Sequence, residues 1–349
     1  MRRQMWIVGG LIAGVVVGGT ARVGAGWGED AKALQVMKDA REALGGEGKL
    51  AALKGLSIRA DFRRALSGVM GGGGAVVIMR GPGGGTGGGQ ITGSIAIDVM
   101  FPDRFYREET SSSGIALTRI DGFEGDRPFL DVVANSPGIR VMADRPADDP
   151  ARAKGALRRA NTDLARLLLG LIAGTHGGLP VSYTYAGEAE SAETVADVID
   201  VTGPDGFKAR LFIDSSTHHP LMLTFMEPEA RPVRMVTRHS PEATGHRGNT
   251  SSATPATSKS GSSKDKQAPP ELTPEQRAEI DKEIAALEAD PPKLVEYRVF
   301  FADYREIEGI SLPHRISRAA ADETIEEWEI KEYRVNPNIK PDRFKVGTE

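Results

Sequence analysis

The stretch FADYREIEGISLPHRIS, Phe301 to Ser317, decides between an active site and a piece of architecture. It contains acids, bases, a tyrosine and a histidine, yet its spacing is that of a strand, a turn and a return strand. A carboxylate at Asp303 can accept hydrogen bonds from the backbone N–H groups of a turn, and Gly309 supplies permissive backbone at the far end. We therefore predict a β-hairpin whose turn covers Asp303 to Gly309.

Pro313 interrupts the return strand, in which Leu312, His314 and Ile316 alternate with Pro313 and Arg315. Proline cannot donate to a β-ladder, so we expect this strand to lie at a sheet edge or to be irregular at that point. The acids and bases of the stretch fall in the turn or on a solvent-facing strand edge. His314 is the one residue of the hairpin that we keep as a functional candidate.

The same plan of apolar strand, aspartate, turn, proline and apolar strand occurs in LFIDSSTHHPLMLTF, Leu211 to Phe225. Repeated apolar-polar alternation with tight connections predicts a meander of short antiparallel strands. The predicted strands are residues 56–64, 91–101, 115–121, 127–134, 182–188, 195–202, 207–214, 221–226, 293–302, 310–317 and 324–335.

Two helices are predicted by their apolar spacing. The first, Glu29 to Leu44, places Leu34, Met37, Ala40 and Leu44 on one side and stops at Gly45-Gly46. The second, Ala151 to Ala173, is the longest apolar helix. Its half from Leu164 onward is apolar on more than one side, which indicates burial against a sheet.

The first residues have the order of a secretory signal peptide. Arg2 and Arg3 precede an apolar run from Met5 to Val17, and small residues follow as far as Ala25. The run is shorter than the roughly 20 residues that a membrane-spanning helix needs. We predict that residues 1–25 are a signal peptide, removed on export to the periplasm by the general or the twin-arginine route.

Composition excludes several functions. The chain has no cysteine, so disulfides, thiolate chemistry and lipid attachment at a cysteine are not available to it. Its net charge of −4 at pH 7 gives no electrostatic reason to bind nucleic acid.

A long polar segment interrupts the second half of the chain. Residues 239–271 are rich in Ser, Thr and Pro and almost free of apolar side chains, which predicts a disordered insertion. A helix over residues 272–290 follows, with Thr273 as its cap and Pro274 in its first turn. We predict one folded domain that begins with residues 26–238 and is completed by strands in residues 291–349.

Candidate metal ligands occur only as Asp214, His218 and His219, with His314 as a further member. Adjacent histidines on a strand point to opposite faces, and the spacing matches no ligand motif, so we favour turn residues beside Pro220. No serine stands in a strand–turn–helix nucleophile motif. We predict no catalytic residues, no metal and no cofactor.

Five stretches of the chain resemble the LolA-like periplasmic lipoprotein carriers, and in particular the larger lipoprotein-sorting-like bacterial members. The resemblance covers most of the predicted strands and includes no catalytic signature. The stretches are REALGGEGKLAALKGLSI (41–58), MFPDRFYREE (100–109), YTYAGEAES (183–191), GFKARLFIDSSTHHPLML (206–223) and VFFADYREIEGISLPHRI (299–316).

This resemblance implies an α+β fold: a large curved antiparallel β-sheet, or incomplete barrel, with helices on its concave face. It implies a non-enzymatic carrier or sensor that binds acyl chains of a lipoprotein or lipid in an apolar groove. The groove candidates are Leu164, Leu168, Leu171, Ile172, Leu211, Ile213, Leu221, Leu223 and Phe225.

Two other functions remain open at this point. An envelope interaction module, similar to the RseB-like sensors, would bind a membrane protein without carrying lipid. A metal-dependent envelope enzyme would require Asp214, His218 and His219 to converge on one ion.

Overall fold

The structure is a computed structural model, and it describes residues 30–65, 90–112, 117–134, 149–228, 293–320 and 322–345. The predictions made for residues 1–25, 239–271 and 272–290 lie outside the described residues. Within the described residues there are three α-helices: α1 (Ala31–Ala43), α2 (Glu47–Ala51) and α3 (Pro150–Ile172).

Twelve strands are present in the same residues, close to the positions that alternation predicts. They are β1 (Gly55–Ala65), β2 (Gln90–Met100), β3 (Arg104–Ser111), β4 (Leu117–Glu124), β5 (Arg127–Ala134), β6 (Ser182–Glu190), β7 (Val195–Thr202), β8 (Lys208–Asp214), β9 (Pro220–Pro228), β10 (Leu294–Ile307), β11 (Ile310–Ala320) and β12 (Glu323–Val335).

All twelve strands form one open antiparallel sheet in the order β5-β4-β3-β2-β1-β12-β11-β10-β9-β8-β7-β6. The ladder between β1 and β12 joins the first and last strands of the chain, with Phe62 opposite Trp328. The edges are β5 and β6, which are consecutive along the chain. The predicted α+β class with a large, unclosed antiparallel sheet is confirmed.

Helix α3 connects these two edges and curves the sheet around itself. It contacts β4 and β5 near one edge and β8, β9 and β11 towards the other. From β5 to β8, nine strand spacings of a flat sheet would extend about 43 Å. The 23 residues of α3 are only about 34 Å long. The sheet must therefore bend so that one helix reaches both sides of its concave face.

The hairpin at Phe301 is present, but its turn is shorter than predicted. β10 continues to Ile307, and the turn consists of Glu308 and Gly309, both with positive φ. Asp303 lies within the strand at φ 57 and pairs with Arg305 instead of capping the turn. The prediction failed because two residues with positive φ already make a tight hairpin, so a longer loop is unnecessary.

Pro313 confirms the expected irregularity, although β11 is an interior strand. The ladder between β11 and β12 begins only at Arg315, two residues after the proline. Pro313 therefore lies in a part of β11 that is not yet paired with β12, so its missing N–H interrupts no hydrogen bond of that ladder. The Pro313 carbonyl accepts a hydrogen bond from the Tyr333 hydroxyl at 2.6 Å.

Helix α1 covers the β6 edge of the sheet. The Asp30 side chain caps the helix at Lys32 N and also accepts from Tyr185 N on β6 at 3.2 Å. Covering an edge in this way protects its backbone from pairing with other chains. Met37, Ala40 and Leu44 of the predicted stripe are buried, whereas Leu34 is exposed, and Ala33 and Val36 complete the buried side.

The sequence PDRF occurs twice in the chain and takes two different conformations. The first turns β2 into β3, whereas the second, Pro341–Phe344, is a short 3-10 helix that packs on the sheet face opposite α3. Phe344 is buried against Tyr106 and Phe129. The second sequence thus packs on the sheet by its side chains.

No helix in the described part of the chain is both long enough and apolar enough to cross a membrane.

Gly170 tests how tightly α3 is seated. A Cβ at this position would overlap the ring of Phe301 on β10. We expect Gly170→Ala to lower the free energy of unfolding by about 1–3 kcal/mol, as overpacking does. Denaturant titration followed by circular dichroism would measure the change.

Gly155→Ala, on the same helix, is the matched control. Its Cβ would meet nothing closer than the Arg159 side chain at 4.0 Å, so we expect a gain of roughly 0.5–1 kcal/mol in stability from helix propensity. Equal effects of the two substitutions would contradict the close packing of α3 on β10.

Candidate functional site

The predicted groove residues come together on the concave face. Leu164, Leu168, Leu171, Ile172, Leu211, Ile213, Leu223 and Phe225 all belong to the main apolar core. Leu221 is only half-buried, because a register shift between Phe212 and Ile213 makes it the extra residue of β9 and removes it from the alternation.

In this structure α3 itself occupies the concave face. Leu164, Leu168 and Leu171 on the helix are no more than 1% exposed, and Leu211 and Leu223 on the sheet are 0% exposed. Helix and sheet therefore fill the groove with each other's apolar side chains.

An ionic network faces inward on the same side of the sheet. Glu109 Oε1 lies 2.7 Å from Arg64 Nη1, and Arg64 Nη2 lies 2.9 Å from Glu326 Oε1. Glu326 also accepts from Trp328 Nε1 at 2.7 Å. Burial alone would raise the pKa of Glu326, but Arg64 and these hydrogen bonds hold it below its ordinary value.

The network continues onto α3 through Glu227 on β9. One carboxylate oxygen of Glu227 accepts from Arg166 Nη1 on the helix, and the other accepts from Arg318 Nη2 on β11 at 3.3 Å. The Arg166 guanidinium lies 3.6 Å from the centre of the Phe225 ring. The helix is thereby fixed to the middle of the sheet by charge as well as by apolar contact.

A second ionic group fixes α3 to β3 and β4. Arg107 Nη2 lies 2.8 Å from Asp121 Oδ2 and 3.3 Å from Asp163 Oδ2 on the helix. Burial would raise the pKa of Asp121, but Arg107 and Arg119 lower it, so the carboxylate stays ionised. Asp163 and Arg166 are three residues apart and therefore share one side of α3.

Our sequence reasoning missed these charges, although alternation carries a signal for them. Four of the inward charges on strands stand two residues after a buried apolar side chain, and period-two alternation then places them on the same face. The pairs are Phe62 and Arg64, Phe105 and Arg107, Phe225 and Glu227, and Ile316 and Arg318.

The suspected metal ligands are engaged elsewhere. Asp214 accepts hydrogen bonds within its own turn, from Ser216 and Thr217, and from Thr194. Burial opposes ionisation of Asp214, but these bonds lower its pKa. His219 stacks on Tyr304 at 4.4 Å. In the described part of the chain, no three His, Cys, Asp or Glu side chains are placed to hold one metal ion.

His314 is buried against Tyr333 in an edge-on arrangement, and its Nδ1 lies 3.1 Å from the Leu312 carbonyl oxygen. These contacts place it in the core of the sheet, at the strand irregularity beside Pro313.

His176 fastens the loop that follows α3. Its Nδ1 accepts from Gly178 N at 3.2 Å, so its Nε2 donates to the Asn161 carbonyl of the helix, also at 3.2 Å. The ring lies against Phe123. Burial lowers the pKa of His176, and protonation of Nδ1 would break the bond from Gly178.

No protein-family model and no curated protein matches the chain. Several solved structures align with it. One is a LolA superfamily protein, NE2245, from Nitrosomonas europaea, at 10% identity and a TM-score of 0.41, over 89% of this chain and 96% of that one. Another is a putative outer membrane lipoprotein-sorting protein domain from Vibrio parahaemolyticus, at 9% identity and a TM-score of 0.41, over 90% and 97%.

A third is a DUF1329 family protein from Desulfovibrio piger, at 9% identity and a TM-score of 0.40, over 89% and 96%.

Glu227→Gln would leave Arg166 and Arg318 without their shared carboxylate. We expect a loss of roughly 1–3 kcal/mol in the free energy of unfolding, because two largely buried guanidinium groups lose a charged acceptor. The measurement is chemical denaturation at pH 7.

Glu296→Gln, on the next strand, is the control for Glu227→Gln. Its partner Arg298 forms an exposed pair with it, so a change below about 0.5 kcal/mol is expected. A Glu227 variant as stable as the Glu296 variant would show that the network does not hold α3.

Replacement of His176 by Asn should flatten the acid limb of the stability profile. In the unfolded chain this histidine takes up a proton near pH 6.5, whereas burial lowers its pKa in the folded protein. Protonation below about pH 6.5 therefore favours the unfolded chain, and wild-type stability falls as the pH drops. Unfolding titrations between pH 7.5 and 5 would measure the slope. A variant with the wild-type slope would exclude His176 as its source.

Proposed function

We propose that this protein is a non-enzymatic binding protein of the bacterial periplasm that carries or senses a lipidated ligand. Its acyl chain would lie on the concave face, which α3 covers in this structure. One observation carries the proposal: α3 covers the apolar face of the sheet, but it is not joined to the sheet by the backbone hydrogen bonds that join the strands to one another.

The composition of the contact supports an exchange of helix for ligand. Leu164, Leu168 and Leu171 meet the sheet with side chains alone, and hydrophobic contact is non-directional. An acyl chain would restore about 25 cal/mol for each Å² of apolar surface that the helix uncovers. A chain that lies between α3 and the sheet would therefore cover the apolar side chains of both.

Few polar contacts tie the helix in place. They include Asp163 with Arg107, Arg166 with Glu227, and the Ala173 carbonyl with Arg41 Nη1 at 3.3 Å. To displace α3, a ligand must compensate for these contacts, so they determine which ligands can do so. The ligand we propose is the acyl chain of a lipoprotein or lipid, delivered to or received from an envelope membrane protein.

The absence of native cysteine allows a direct test by double spin labelling. Labels at Arg159 on α3 and Lys208 on β8, both exposed, report the distance between helix and sheet. We expect monododecanoylglycerol to lengthen this distance in double electron–electron resonance, because its chain displaces the helix.

Labels at Lys208 and Glu296, both on the sheet, form the control pair and should keep their distance. Native mass spectrometry of protein isolated from its own periplasm should also show a bound lipid. An unchanged helix–sheet distance together with lipid-free protein that still captures an envelope partner would favour an interaction module and overturn the proposal.

A further inference from the structure

Two arginines share one carboxylate at the end of the apolar groove. Arg166 and Arg318 both donate to Glu227, each through one of its Nη atoms. The next acid along the network, Glu326, hydrogen-bonds to Arg64 and lies opposite Arg318 in the ladder between β11 and β12. Each guanidinium carries several N–H donors, so a single carboxylate leaves donors over.

The leftover donors are identifiable. The Nε atoms of Arg166 and Arg318 are buried and have no hydrogen-bond partner among the described residues. Buried polar groups in folded proteins are nearly always satisfied, so two such atoms in one cluster require an explanation. An oxygen-rich anion would supply the acceptors that these two Nε atoms lack.

Aromatic rings hold both guanidinium groups. Arg166 lies 3.6 Å from the centre of the Phe225 ring, and Arg318 lies 4.3 Å from that of Tyr297. The two rings stack on each other at 5.8 Å. Guanidinium groups held over ring faces are positioned before a ligand arrives.

The apolar track starts at the same place. Phe225, beneath Arg166, is followed along the inward face of β9 by Leu223, and Leu211 of β8 lies directly opposite Leu223. A charged end and an apolar track in series match an amphiphile with one charged head.

We infer that Arg166 and Arg318 bind the anionic head, a carboxylate or a phosphate, of an amphiphile whose chain lies on Phe225, Leu223 and Leu211. This inference rests on the proposed function and adds to it the charge of the ligand. Arg166 belongs to α3, so the helix contributes to the head site, and binding of the head couples to the position of the helix.

The test compares ligands that share a twelve-carbon chain and differ in the head. Dodecanoate, dodecyl phosphate, monododecanoylglycerol and dodecyltrimethylammonium are titrated into the full chain below their micellar concentrations, by isothermal titration calorimetry. We expect both anions to bind at least about tenfold more tightly than the neutral glyceride, and the cation to bind most weakly. A preference for one anion identifies the head as carboxylate or phosphate.

Arg318→Met keeps the length and apolar stem of the side chain and leaves Glu227 paired with Arg166. It should abolish the preference for anions and keep binding of the glyceride. Arg210→Met is the matched control, because among the described residues Arg210 pairs with the partly exposed Asp200, on the opposite face of the sheet, and should retain the preference.

The outcomes separate the inference from the proposed function. Binding of the glyceride with no preference for anions overturns the inference and leaves the acyl-chain proposal intact. Failure of every amphiphile to bind overturns both. If Arg318→Met loses thermal stability but keeps the anion preference, the role of Arg318 is purely structural and the inference is wrong. If the variant does not fold, the comparison of ligands on the wild-type chain decides whether the protein prefers anions.

Discussion

The packing of α3 on the concave face is the contact on which the rest of the structure depends. The helix joins β5 to β6, and these strands are the two edges of the sheet. A helix shorter than the flat distance between its two contact regions forces the strands to curve towards it. The curvature creates the inward face, and the inward face gathers the apolar side chains and charges described above.

Much of this fold is predictable because period-two alternation is a local property of the chain. The positions of the described strands, the apolar burial of the second half of α3 and the irregularity at Pro313 all follow from patterns of a few residues. The turn at Glu308-Gly309 was mispredicted, since Asp303 looks like a turn residue and only the register with β11 shows that β10 continues past it. Register is a non-local property, and a single sequence does not contain it.

The candidate site divides in the same way. Eight of the nine predicted groove residues reach the core, because helix and strand spacing predicts which face is apolar. Leu221 leaves the alternation at a bulge that no local signal marks. The ionic network was missed because Arg64, Glu227 and Arg318 each look like surface residues at the end of an apolar strand, and only their convergence across distant strands makes them a network.

The inward charges also explain how a helix held by side chains keeps one position. Apart from the close fit of Gly170 on Phe301, a leucine stripe on an apolar sheet sets its register only weakly, since hydrophobic contact is non-directional. Ion pairs are directional, and those of Asp163 and Arg166 tie one side of α3 to β3 and β9, at separate points of the sheet. Apolar contact thus supplies most of the attraction and the ion pairs fix the register. A ligand that supplies only an acyl chain would replace the apolar contact, whereas a ligand with an anionic head would also act on the ion pairs.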